Sequence, residues 1–223
     1  MRMRRLTFEG ADGLAGSASL RLLVIGAHAD DIEIGCAGTI LRLAEERRLS
    51  SVRWIVLSAP GPRRAEARAS AEDVLADVPD HEITLTDLRD GYFPYDGAAA
   101  KDIFESLKDG PPPDIVLTHR REDAHQDHRL VAELTWNTFR DQLILEYEIP
   151  KYDGDLGTPN AYVEISEGIA RRKIDLLMRR FPSQLERHWF TEATFWGLLR
   201  LRGVECRSST GLAEGHTARK IVL

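Results

Sequence analysis

Cysteine is scarce in this chain: two among 223 residues, Cys36 and Cys206, far apart in sequence. Two such residues exclude a disulfide framework and favour a reducing compartment, the cytoplasm. Neither has a second cysteine at metal-site spacing, which excludes a thiolate zinc knuckle. Long hydrophobic runs are also missing, and nothing approaches the roughly 20 apolar residues that span a bilayer. The start Met1-Arg-Met-Arg-Arg5 has the basic character of a signal peptide, but Glu9 and Asp12 interrupt it and no apolar segment precedes Arg21. A basic excess is absent as well. The formal net charge is -6, whereas a phosphate backbone wants a cationic face, so nucleic acid is not an expected partner. The basic clusters Arg63–Arg64, Arg120–Arg121 and Arg171–Arg172–Lys173 alternate with acids, as solvated helix faces or small-anion contacts do.

What is present suits one soluble domain with a sizeable core: 43% of residues are hydrophobic and 30% charged. Residues 1–19, rich in Gly, Ala and Ser, read as an N-terminal extension, and 20–223 as a single domain. Leu20–Ile25 is a compact apolar run closed by Gly26, the pattern of a buried strand. Further strands are expected at Val52–Leu57, His81–Thr86 and Asp114–Thr118. Helical spacing covers Ile40–Arg48, Arg63–Leu75, Lys101–Lys108 and His128–Arg140. Strands alternating with helices predict an α/β fold, a doubly wound (Rossmann-like), mainly parallel sheet with helices on both faces. Right-handed crossovers then collect the strand carboxyl ends on one edge, where ligands bind. Later segments read as a long loop over Tyr147–Asn160, helices over Glu167–Arg180 and Thr194–Leu201, and a terminal strand over Arg219–Leu223.

The residues that carry chemistry fall in two clusters, His28-Ala-Asp30-Asp31 and Asp123-Ala-His125-Gln-Asp127-His128. Each follows an expected strand, so both belong on the same sheet edge. Imidazoles and carboxylates from two such loops can converge on one ion. Zinc suits this inventory, because catalytic zinc takes three protein ligands from His and Asp/Glu and leaves a position for water. Taken singly, His-x-x-Asp is commonly a helix cap beside a surface histidine, and Asp-x-His-x-Asp-His a solvated helix start. Two ligand-rich clusters at matching topological positions reverse that balance. His119 stands alone at a strand end and is not expected to be a ligand; His81, His188 and His216 read as surface or packing residues.

The run Gly26-Ala-His28-Ala-Asp30-Asp31 through Gly35-Cys-Ala-Gly-Thr39, together with Asp123-Ala-His125-Gln-Asp127-His128, resembles the LmbE-like, or PIG-L, deacetylases. The Arg63-Arg-Ala-Glu66 helix, the Asp90-Gly91 turn and Gly211-Leu-Ala-Glu214 extend the likeness over most of the chain after about residue 20. The resemblance implies that His28, Asp31 and His128 bind Zn2+ or another divalent metal. Asp30 would be the general base. His125 would stabilise or protonate the tetrahedral intermediate, with Asp127 orienting and charging it. Arg63 would contact substrate, although Arg64 could take that role. The chain departs from the family at Ala29, where proline is usual, at Ile32, where many members have Glu, and at Ala37, where glycine is common. None of these removes an implied ligand or base.

The activity implied is removal of an N-acetyl group from an N-acetylglucosamine-type sugar or glycoconjugate, releasing acetate and a free amine. Amidase action on a different N-acyl or thiol-conjugate substrate stays open, as does a non-catalytic sugar- or nucleotide-binding module in which Gly35-Cys-Ala-Gly38 cradles a phosphate. Tyr92, Phe93, Tyr95 and the segment 146–155 are candidate substrate walls. The partner expected is a small-molecule N-acetylated sugar, and homo-oligomerisation is left open.

Overall fold

A computed structural model describes residues 19–221. Of the expected extension over 1–19, all but the last residue lies outside the described residues. The strands are β1 (Leu20–His28), β2 (Leu49–Ser58), β3 (Asp80–Leu85), β4 (Ile115–His119), β5 (Leu143–Tyr147), β6 (Ala161–Glu164) and β7 (Ala213–Ala218). The helices are α1 (Asp31–Glu45), α2 (Pro62–Leu75), α3 (Gly97–Ser106), α4 (Gln126–Thr138), α5 (Glu167–Arg180) and α6 (Glu192–Glu205). One seven-stranded sheet runs in the order β3-β2-β1-β4-β5-β7-β6. Strands β1 to β5 pair in parallel, and β7 is antiparallel to both β5 and β6. The mainly parallel, doubly wound architecture expected from the alternating pattern is the one the chain adopts. Among the described residues no helix is long and apolar enough to cross a membrane.

The apolar run of β1 from Leu22 to Ala27 follows from its central place. Side chains alternate along a strand, so Leu20, Leu22 and Val24 enter the core beneath α1, α2, α5 and α6, while Leu23, Ile25 and Ala27 pack with α3 and α4. A strand covered on both faces needs no polar side. From β1 the chain moves outward through β2 and β3, then returns to the other side of β1 for β4 and β5. The order therefore reverses between β1 and β4, and their carboxyl ends flank a crevice.

Several elements differ from expectation. Helix α1 begins at Asp31, well before Ile40, because only Ala29 and Asp30 separate it from β1. Strands β5 and β6 were hidden by polar residues inside or beside them. Glu146 of β5 is 1% exposed and accepts from Arg219 Nε at 2.6 Å and Trp136 Nε1 at 2.7 Å. With Tyr147 also buried, neither residue is a substrate wall. The last strand is Ala213–Ala218, not Arg219–Leu223: Arg219 to Ile221 lie outside the strands, and 222–223 outside the described residues.

A buried ion pair is set into α1. Glu214 of β7 accepts from the Gly38 amide at 2.8 Å and from Lys173 Nζ at 2.6 Å, and its other oxygen takes the Thr39 amide and hydroxyl, both at 2.6 Å. Lys173 also donates to the Ile34 carbonyl at 2.7 Å. A Cβ on Gly38 would lie 2.7 Å from Glu214 Oε1, and one on Gly35 would overlap the Tyr147 ring. The glycines thus admit close neighbours, and the anion at the Gly38 amide is the chain's own Glu214.

Candidate metal centre

Strand β1 presents His28 as its last residue, and Asp31 opens α1 immediately beyond. Asp31 Oδ2 accepts the His28 backbone amide at 2.6 Å, which folds the carboxylate back over the strand end. On the far side of the crevice His125 is the N-cap of α4, its Nδ1 accepting from the Asp127 amide at 3.3 Å. The first turn of α4 then carries Asp127 and His128 inward, both buried.

Three atoms converge between β1 and α4. His28 Nδ1 is 3.3 Å from Asp31 Oδ2 and 3.2 Å from His128 Nε2, and the last two are 3.5 Å apart. A tetrahedral zinc ion with bonds of about 2.0–2.1 Å sets its donors about 3.3–3.4 Å apart. The three donor atoms are therefore spaced as three ligands of a tetrahedral zinc ion would be.

The outer edges of both rings are also set. His28 Nε2 lies 3.2 Å from Asp127 Oδ2 and 3.1 Å from Asp90 Oδ1, so its N–H points to carboxylates and Nδ1 keeps its lone pair for a metal. His128 Nδ1 lies 3.1 Å from Asp123 Oδ2, a pairing distance whose angle falls short of a hydrogen bond. Burial, then the neighbouring His119, push the His128 pKa down to about 4, which makes its ring a neutral ligand. Burial also disfavours a charged His28, but Asp31, Asp127 and Asp90 outweigh it and raise that pKa well above the ordinary value. The carboxylates that favour a proton on His28 would equally favour a bound cation. The donor set fits a divalent ion.

His119 belongs to this cluster and does not stand alone. It is fully buried, stacks on His128 with centroids 3.9 Å apart, and brings Nε2 to 3.2 Å from Asp31 Oδ2. Asp31, His119 and His128 could themselves hold a metal, as could His28, His125 and His128. However, His119 Nε2 accepts the Ala27 amide at 2.9 Å, which occupies the lone pair a metal would need. In the set His28, Asp31 and His128 only Asp31 Oδ2 already accepts a hydrogen bond, from the His28 amide, and a carboxylate oxygen keeps a second lone pair for a metal.

Asp30 is buried, and Arg63 Nη2 donates to its Oδ1 at 2.6 Å. Burial raises its pKa against the opposing pull of Arg63. Its side chain makes no cap bond to α1. Arg64 instead turns to Asp87 at 2.7 Å and to the Leu85 carbonyl at 3.0 Å, and Glu66 holds Ser183 by its amide and hydroxyl. Asp127 accepts the Gly91 and Phe93 amides at 2.6 and 3.1 Å, and its carboxylate pairs with His28 and makes no hydrogen bond to His125. The His125 ring stands edge-on to His28, 5.0 Å between centroids, and burial followed by the charge on His28 lowers its pKa. Of the aromatic candidates, Phe93 is fully buried, 5.8 Å from the His28 ring, whereas Tyr92 and Tyr95 are exposed.

Sequence reasoning assigned no role to Asp90 or Asp123. Both stood inside quoted motifs; for Asp123 the available signal was an acid five residues before the ligand His128, and Asp90, far in sequence from either ligand histidine, had only its turn motif. Lys151 lay in the segment 146–155 read as a substrate wall, but nothing in the sequence pointed to its contact with Asp123, at 3.0 Å and 28 residues away.

The family described as PIG-L: GlcNAc-PI de-N-acetylase matches residues 23–139. Among curated proteins none matches. Solved structures share the fold. The N,N'-diacetylchitobiose deacetylase of Pyrococcus horikoshii is 21% identical, with a TM-score of 0.68 over 90% of this chain and 84% of that one. A conserved protein of Thermus thermophilus is 19% identical, with a TM-score of 0.70 over 92% and 96%. The 4-carboxy-2-hydroxymuconate hydratase of Pseudomonas putida is 17% identical, with a TM-score of 0.72 over 92% and 98%.

Proposed function

The chain belongs to the PIG-L family, and from that premise we propose that it is a metal-dependent N-deacetylase acting on an N-acetylglucosamine-type sugar or glycoconjugate. The observation that carries this reading is the convergence of His28 Nδ1, Asp31 Oδ2 and His128 Nε2 within 3.5 Å of one another, beside the buried carboxylate of Asp30. His28, Asp31 and His128 would hold the ion, with zinc the expected metal. Bound there, it supplies Lewis acidity, polarising the amide carbonyl and acidifying water to a pKa of about 7.

The remaining roles fall to the chain's own groups. Asp30 takes the proton of the attacking water at its carboxylate. A raised pKa suits a base that must later give that proton to the departing amine. Arg63 fixes the Asp30 rotamer and, from the same position, can meet a substrate oxygen. His125 faces the crevice and stabilises the developing oxyanion. Asp127 contributes by holding His28 and the turn at Gly91. Tyr92 and Tyr95 offer faces to a sugar ring at the rim.

Residues 20–223 are read as one deacetylase domain because a single sheet runs from β1 to β7. Two unpaired cysteines favour the cytoplasm. The hydratase among the solved structures motivates the second reading, addition of water to a carbon–carbon double bond by the same fold. A substrate panel separates the two. Acetate release from N-acetylglucosaminides, with slower turnover of bulkier N-acyl analogues, supports the deacetylase. Hydration of an unsaturated carboxylate without acetate release supports the alternative.

A further inference from the structure

Lys151 projects from the loop 148–160 into the wall of the metal centre. Its side chain is 9% exposed, and Nζ lies 3.0 Å from Asp123 Oδ1 and 2.7 and 2.6 Å from the two oxygens of Asp155. Asp123 is itself 2% exposed and divides its oxygens. Oδ1 accepts the His125 amide at 2.8 Å and faces Lys151, while Oδ2 faces His128 Nδ1 at 3.1 Å. One carboxylate therefore joins the loop cation, the cap of α4 and a ligand histidine.

We propose that Lys151 is a positioning residue for the metal ligand His128, acting through Asp123. A buried carboxylate needs partners on both oxygens. The His125 amide satisfies part of Oδ1, and the imidazole meets Oδ2 off-line, so neither fixes the rotamer alone. The ammonium supplies the missing partner and keeps Asp123 turned toward His128. A fixed Asp123 in turn sets the ring plane in which His128 Nε2 points at His28 and Asp31. Without the cation, Asp123 is free to rotate away, and His128 loses the group that orients it. A plain loop anchor is the competing explanation, since Lys151 also binds Asp155. The role rests on the proposed metal centre and is independent of the substrate.

The test uses the full chain and Zn2+ affinity measured by chelator competition, with the visible spectrum of the Co2+-loaded protein as a report on ligand geometry. Lys151→Met should weaken zinc by about tenfold, the lower end of outer-shell effects, and alter the cobalt bands. Lys151→Arg, which keeps a cation within reach of Asp123, should restore both. Asp155→Asn removes the anchoring charge but leaves the contact with Asp123, so it should bind zinc as the wild type does. If Lys151→Met does not fold, Lys151→Gln read against Lys151→Arg gives the same contrast. Wild-type affinity and spectrum in Lys151→Met, or an equal loss in Asp155→Asn, overturns the proposal. A wild-type chain that binds no zinc overturns the metal centre and this role together, whereas one that binds zinc but releases no acetate overturns only the deacetylase reading.

Discussion

Asp127 Oδ2 lies 3.2 Å from His28 Nε2, on the edge of the ring opposite the nitrogen that meets Asp31 and His128. The second cluster thereby fixes the ligand contributed by the first, across the point where the strand order reverses. Asp127→Asn should weaken zinc binding about tenfold and lower stability by about 1–2 kcal/mol, because one oxygen can no longer accept the Gly91 and Phe93 amides as well as His28. Chelator competition and thermal melting measure the two effects. Unchanged zinc affinity would contradict the orienting role.

Gly35 and Gly38 let α1 lie against Tyr147 and Glu214. Gly38→Ala should cost about 1–3 kcal/mol through overpacking, seen as a lower Tm, with a larger loss for Gly35→Ala because an aromatic ring in the core yields less than a carboxylate oxygen. A Gly35→Ala protein as stable as the wild type would contradict this packing.

Glu33, in the first turn of α1, is fully buried with neither carboxylate oxygen hydrogen-bonded. Burial, opposed by the nearby Ser70 hydroxyl and the helix amide and helped slightly by Asp30 and Asp31, raises its pKa to about 8. Between the unfolded value near about 4.3 and that folded value, the native state binds more protons than the unfolded one, so stability falls as pH rises. Below the window the two states are equally protonated and above it equally ionised, so the loss is complete by about pH 8. Glu33→Gln should therefore match the wild type near pH 4 and exceed it near pH 8. Melting curves across that range check the sign; parallel profiles for the two proteins would refute it.

Tyr92 and Tyr95 are 43% and 76% exposed, on the turn whose Asp90 and Gly91 touch the centre. Alanine at either should raise KM for an N-acetylglucosaminide several-fold while kcat changes little, since rim contacts are made equally in ground and transition states. A fall in kcat at constant KM would place these rings at the reacting atoms.

The parallel half of the fold was legible because β1, β2 and β4 are largely buried and read as short, mostly apolar runs, interrupted only by residues such as Arg21 and Arg53. The two ligand clusters were legible because each lies within a few residues of a strand end. What escaped depended on long-range pairing. Glu146 looks like a loop residue until Arg219 neutralises it, and β7 holds Glu214 and His216 inside only because Lys173 and Thr39 meet them. His119 looked isolated since its neighbours Ala27, Asp31 and Tyr147 come from β1, α1 and β5. Local pattern cannot report such partners.

The most direct measurement is acetate release from an N-acetylglucosaminide by metal-depleted, zinc-restored and Asp30→Ala protein, with bound zinc counted in each. The prediction is one zinc per chain in both wild type and Asp30→Ala. Acetate release should be abolished by chelation, restored by zinc, and reduced by at least about 10²-fold in Asp30→Ala, the lower range for loss of a general base. Release that survives chelation, or equal rates from the two zinc-loaded proteins, would contradict it.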